Sequence, residues 1–77
     1  WYPAAVTSYL DGLVALRDRE RIERDAPQFL ESGSALEPFA LRALGVVRGD
    51  PGLLEKAATL FSRLGFELQA ANTRTLM

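Results

Sequence analysis

Apolar residues recur along nearly the whole chain at the spacing of a helix. Val6, Tyr9, Leu10, Leu13, Val14 and Leu16 follow an i, i+3, i+4, i+7 pattern, which places them along one side of an amphipathic helix. Pro3 suits the first turn of that helix, where a missing N–H leaves no bond unmade. A second helix is predicted after Asp18, a residue type that caps helix N-termini, and presents Ile22, Ala26, Phe29 and Leu30. Pro27 lies inside this pattern and predicts a kink or early fraying. Glu31-Ser32-Gly33-Ser34 is the clearest break. Ser34 and Glu37 then have the Ser-x-x-Glu spacing of a capping box. They open a third helix with apolar positions Leu36, Phe39, Ala40, Ala43, Leu44 and Val47, and Pro38 falls in its first turn. Gly49-Asp50-Pro51-Gly52 combines a turn, an N-cap and a proline at the first helical position. The fourth helix carries Leu53, Leu54, Ala57, Ala58, Leu60, Phe61 and Leu64 and closes at Gly65. A fifth helix presents Leu68, Ala71 and Leu76. Period-two alternation and hairpin turns are absent, so no strand is predicted. The expected architecture is one all-α domain over residues 1–77, with a helix pair over 4–31, a second pair over 35–65 and a closing helix over 67–76.

The two pairs echo one another. Shifted by 31 positions, Leu10 meets Leu41, Leu13 meets Leu44, Leu16 meets Val47, Ile22 meets Leu53, Ala26 meets Ala57, Phe29 meets Leu60 and Leu30 meets Phe61. The boundary at Asp18 lands on the Gly49-Asp50 turn. Periods between 20 and 50 residues are the mark of helical arrays, in which each unit buries its apolar face against the next.

The second pair resembles a tetratricopeptide repeat. Leu44-Gly45 fills the family's Leu-Gly step, and Ala57-x3-Phe61 follows at the family's usual distance. Leu41 and Arg48 stand where the family has Trp and Tyr, and Gln69 stands at its terminal proline. The first pair is a weaker match, with Leu13-Val14 and Ala26-x3-Leu30. Small residues at Gly45 and Ala57 would let two helices approach closely, with Phe61 filling the space between them. Residues 36–76 are also similar to the C-terminal repeat region of large bacterial ATP-dependent signalling and transcriptional regulators. The resemblance implies a short array of about five helices stacked as antiparallel pairs, and a concave groove lined by the first helix of each pair. Carried through Gly45, the groove positions are Phe39, Arg42 and Val46. The 31-residue shift adds Ser8, Asp11 and Ala15, and the fifth helix adds Asn72. Asp11 and Arg42 occupy equivalent places on adjacent repeats and are expected to face the same side and pair.

Composition narrows the chemistry. The chain has 77 residues with no Cys and no His, so disulfides and the common zinc sites are excluded. Its formal net charge of -1 argues against non-specific nucleic-acid binding, which requires a basic surface. No apolar run approaches the roughly 18–20 residues of a membrane span, and the expected location is the cytoplasm. Arg outnumbers Lys, with Lys56 the only lysine, a bias that points to a GC-rich bacterial source. The densest charge run, Arg17 to Asp25, alternates in sign; Arg19–Glu23, Glu20–Arg24 and Arg21–Asp25 are spaced as i, i+4 pairs on a solvated face.

Catalytic equipment is missing. Ser8, Ser32, Ser34 and Ser62 have no His to activate them, Glu20 and Glu23 each have an Arg neighbour, and Lys56 lies on a polar face beside Glu55. Gly49-Asp50-Pro51-Gly52 lacks the Gly-Lys-Ser/Thr of a phosphate loop. No enzyme activity, cofactor or metal is expected. The expectation is a non-catalytic interaction module that offers a groove to a protein or peptide. The alternative is a structural or regulatory segment of a larger bacterial ATPase or transcriptional regulator, packed within its own chain or dimer. A chain this short buries only roughly 60% of its unfolded surface and its core supplies about 3–5 kcal/mol. Self-association, or a longer parent chain, is therefore expected, with Trp1 and Tyr2 either remnants of a preceding repeat, packed on the first pair, or part of a self-association surface.

Overall fold

The computed structural model describes residues 3–31 and 33–77, so the expectation for Trp1 and Tyr2 lies outside the described residues. The fold is all-α. Among the described residues five helices follow one another: α1 Pro3–Leu16, α2 Arg19–Asp25, α3 Glu37–Arg48, α4 Pro51–Arg63 and α5 Glu67–Arg74. A 3-10 turn, Ala26–Phe29, continues from α2. Pro27 sits in the first turn of that segment, where the α-helix tightens because proline cannot donate to the preceding turn. Among the described residues there is no strand, and no helix is long and apolar enough to cross a membrane.

Two acidic caps set the starts of α2 and α4. The Asp18 carboxylate accepts from the Arg21 N–H at 3.2 Å. That of Asp50 accepts from the N–H groups of Gly52 and Leu53 at 2.9 and 3.3 Å. The helices before them end alike. Arg17 and Asp18 donate to the carbonyls of Val14 and Leu13, and Gly49 and Asp50 donate to those of Val46 and Gly45. Both are closures through a left-handed residue, Gly49 at φ 61° and Arg17 at φ 53°. Gly49 lies 32 residues after Arg17, and Asp50 lies 32 after Asp18. The turns therefore superpose one residue later than the 31-residue side-chain echo places them.

The opening of α3 departs from a capping box. Its first helical residue is Glu37, and the Ser34 hydroxyl accepts from the Leu36 N–H at 3.1 Å instead of from Glu37. Glu37 in turn accepts from the Gly33 N–H at 3.2 Å. The two side chains still satisfy backbone donors, but each reaches one residue away from the expected partner.

α3 is the centre of the molecule. Every residue from Glu37 to Gly45 is buried, because α1, α2, the 3-10 turn and α4 all pack on it. Gly45 is where α3 and α4 come closest: a Cβ there would lie 2.9 Å from Leu54 Cγ and 3.2 Å from the Leu54 backbone nitrogen. Ala57 and Ala58 are buried on the α4 side, and Phe61 is buried between the helices, its ring edge-on to Phe39 at 4.8 Å. One continuous apolar cluster runs from Val6, Leu10 and Leu13 through Ile22 and Ala26 to Leu44, Phe61 and Ala70.

Several expected apolar positions lie outside this cluster. Leu16, at the end of α1, is 76% exposed, and Tyr9 is turned outward. In α5 the expected stripe is inverted. Ala70 and Thr73 are buried, whereas Leu68 is 74% exposed and Ala71 and Leu76 also face solvent. The small side of the helix is against α4, and the large aliphatic side is left outside.

A candidate groove over a buried arginine

The polar centre of the molecule is Arg42. α3 carries it into the interior, where its side chain is 7% exposed. Such a cation needs partners, and two helices supply the hydrogen-bond acceptors. Nη2 donates to Asp11 Oδ1 on α1 at 2.7 Å. Nη1 donates to Gln69 Oε1 at 2.8 Å and to Thr73 Oγ1 at 3.3 Å, both on α5. The Thr73 hydroxyl donates its own proton to the Gln69 carbonyl at 2.7 Å. The guanidinium carbon also lies 5.3 Å from the Phe39 ring centroid and 4.9 Å from that of Phe61, within cation–π range of both. No buried side-chain polar atom among the described residues lacks a hydrogen bond.

Asp11, Arg42 and Thr73 are each 31 residues apart, and they meet at this one point. The side-chain echo thus extends once more along the chain, from α1 through α3 to α5. Gln69 was not among the expected groove positions; applying the same shift to Arg42 leads to Thr73 and, one turn earlier, to it.

Above this network lies a shallow depression of about 410 Å³, lined by Asp11, Val14, Ala15, Arg42, Gln69, Asn72, Thr75 and Leu76. Four of the seven expected groove residues line it: Asp11, Ala15, Arg42 and Asn72. The other three do not. Ser8 is exposed on α1 outside the depression and Val46 is half-buried near the end of α3. Phe39 is buried against Phe61 and lines two other hollows beside Phe66. Arg42 contributes a wall and a charge to the floor, but its Nη1 and Nη2 donors are already engaged. Asp11 is different, with its side chain 45% exposed and only Oδ1 bonded to Arg42. The floor therefore carries one balanced ion pair, with amide and hydroxyl groups on one wall and Val14, Ala15 and Leu76 as apolar edges.

A second polar cluster ties α1 to α2. The Tyr9 hydroxyl donates to Asp25 Oδ2, and Arg24 clasps the same carboxylate, Nε to Oδ1 at 2.8 Å and Nη2 to Oδ2 at 3.1 Å. These donors hold the Asp25 carboxyl down at about 2, and the hydrogen bond to Asp25 raises the Tyr9 phenol above its ordinary value. Arg48 at the end of α3 grips Glu23 of α2 with two hydrogen bonds, 2.9 and 2.7 Å, which lowers the Glu23 carboxyl. The charge run thus partners differently from the i, i+4 expectation: Arg24 takes its neighbour Asp25, Arg21 leans back to Asp18 at 3.6 Å, and Glu23 reaches across to α3. Tertiary contacts offer these groups better geometry than their own helix face does.

Among the described residues, no group of three or more His, Cys, Asp or Glu side chains converges in a way that would hold a metal ion. Comparison with known proteins returns no family model, no curated protein and no solved structure that matches this chain.

Proposed function

We propose that the protein is a non-catalytic interaction module whose depression above Arg42 receives a segment of a protein or peptide partner. The observation that carries this reading is the convergence of Asp11, Arg42 and Thr73 at 31-residue intervals beneath an open, mixed polar and apolar surface. A buried arginine bonded to two helices holds the walls of that surface at a set spacing, which lowers the ordering cost of binding. The close α3–α4 approach at Gly45, with Ala57 and Phe61 beside it, supports a tetratricopeptide-like reading of the second pair. The partner we propose is an extended or helical segment of low net charge that brings one or two aliphatic side chains for Val14, Ala15 and Leu76. Hydrogen bonds to Asn72, Thr75 and the free oxygen of Asp11 would fix its register. A cytoplasmic, bacterial setting in a signalling or regulatory chain fits the Arg-rich, Cys-free composition.

Peptides selected from a random display library against the pure protein test this reading. Backbone amide shifts on titration are expected to cluster at Ala15, Asn72 and Thr75, and Ala15→Arg is expected to abolish them while leaving the thermal melt unchanged. Shifts clustered elsewhere, or no peptide binding tighter than about 1 mM, would sink it. The second reading, a regulatory segment that packs within a larger chain or its own dimer, is favoured by a different observation, the aliphatic face that α5 turns to solvent.

A further inference from the structure

α5 buries its small side and presents its large one. Ala70 and Thr73 face inward, against α4 and Arg42, while Leu68 stands 74% exposed, with Ala71 one turn on and Leu64 just before the helix. Leu68 and Ala71, three residues apart on the helix, therefore form a small apolar strip directed away from the rest of the fold. Two charges flank it. Glu67 lies at the start of the helix and Arg74 at its end, seven residues apart and so on nearly the same side. Neither forms an ion pair within the described residues; the only side-chain hydrogen bond to Glu67 is a long one from Ser62, 3.4 Å.

We infer that this face pairs with the same face of a second copy, the two α5 helices lying antiparallel across a two-fold axis near Ala71. A stripe with opposite charges at its two ends is complementary to itself only when inverted. About that axis Glu67 of each copy meets Arg74 of the other, and both charge pairs form at once. A parallel arrangement would instead set Glu67 beside Glu67 and Arg74 beside Arg74. Ala71 at the crossing point lets the helices approach, and Leu68 of each copy enters the space formed by Ala71 and Arg74 of the other. An eight-residue helix is about 12 Å long, so the interface is small and the association weak, with a dissociation constant on the order of 100 µM. Glu67, Leu68, Ala71 and Arg74 do not line the groove, although Gln69 and Asn72 of the same helix do, and self-pairing does not depend on a peptide binding there.

The test uses the intact chain in sedimentation velocity from about 10 µM to about 1 mM, a range that brackets a weak interface. The wild-type protein is expected to shift from monomer to dimer across that range. Leu68→Glu is expected to hold it monomeric with a nearly unchanged thermal melt, since the side chain is 74% exposed. Glu67→Arg and Arg74→Glu are each expected to weaken self-association, because each faces like charges across the two-fold. An equimolar mixture of the two is expected to dimerise at least as well as wild type, because both cross-pairs are then opposite in sign. That rescue in trans cannot arise from a change in helix stability within one chain. A wild-type protein that stays monomeric to 1 mM, a dimer indifferent to Leu68→Glu, or a mixture no better than its components would each overturn the inference. The second of these outcomes would point to another face, and the first to an occupant other than a second copy.

Discussion

α1 and α2 are joined by Arg17-Asp18, and α3 and α4 by Gly49-Asp50. Both junctions use the same pair of backbone hydrogen bonds and the same acidic cap. Beyond the junction the pairs diverge. α4 runs for 13 residues, whereas α2 runs for 7 before Pro27 tightens it into a 3-10 turn. The point of closest approach in the second pair is Gly45 against Leu54. Counted from the shared junction, the equivalent positions in the first pair are Leu13 and Ile22, two large buried side chains. They cannot interlock as a glycine and a leucine do, so the first pair is held partly by polar contacts, Tyr9 to Asp25 between its own helices and Arg48 of α3 on Glu23. A common turn starts two helices in the same way; the side chains one turn further on decide how closely they pack.

The sharpest way to break that contrast is to remove the aromatic that fills each pair. Phe61→Ala is expected to cost about 3–5 kcal/mol, enough to unfold a domain this small. Phe29→Ala, in a half-buried position of the 3-10 turn, is expected to cost about half as much; urea melts followed by circular dichroism would show equal losses if the pairs were equivalent. Arg42→Met comes next, at about 2–3 kcal/mol. Removing one member of a buried pair leaves the other unsatisfied, but Asp11 is half-exposed and regains water. Asp11→Asn, which keeps an acceptor for Arg42, is expected to cost less than about 1 kcal/mol.

Gly45→Ala is expected to destabilise by about 1–2 kcal/mol, because the new methyl must displace Leu54. Gly12→Ala, in α1, meets nothing within 4 Å and is expected to stabilise by about 0.5–1 kcal/mol. Thermal melts of opposite sign would establish that only the second pair depends on its glycine. Arg17→Gly relieves a left-handed arginine and is expected to add roughly 1 kcal/mol, making the first junction like the second. The smallest effect concerns acid. Asp25 is lowered to about 2 in the folded state, so it stabilises the protein above its unfolded value near 4 and loses that contribution as pH falls toward 2. Melting temperatures between pH 5 and pH 2 are expected to fall less steeply in Asp25→Asn than in wild type.

Much of the helical layout was legible in residue types alone. Asp18 and Asp50 cap by the same local chemistry in any fold, Gly49 accepts a left-handed turn, and Pro27 cannot continue a helix. Arg17 gave no such signal, since nothing in its type asks for positive φ; the closure of α1 onto Asp18 imposes it. The left-handed residue comes six positions after Asp11 but seven after Arg42, so the junctions stand 32 residues apart while Asp11, Arg42 and Thr73 keep 31. Asp11 and Arg42 were identifiable as neighbours from that echo. Thr73 follows from a further step of the same shift, whereas the bond from Arg42 to Gln69, 27 residues away, falls off that spacing and has no local pattern.

By itself the sequence determined the five helices, the Asp18 and Asp50 caps, the closely packed α3–α4 crossing and the absence of Cys and His. These follow from short-range sterics and hydrogen bonding, which act within a few residues and leave a readable spacing. Tertiary structure alone decided that Arg42 is interior and that α5 turns Leu68 outward. A cation drawn into the core needed acceptors, Gln69 and Thr73 supplied them, and orienting that side of α5 inward left its aliphatic side in water. Hydrophobicity on its own would have turned the helix the other way; satisfying one buried guanidinium outweighed it.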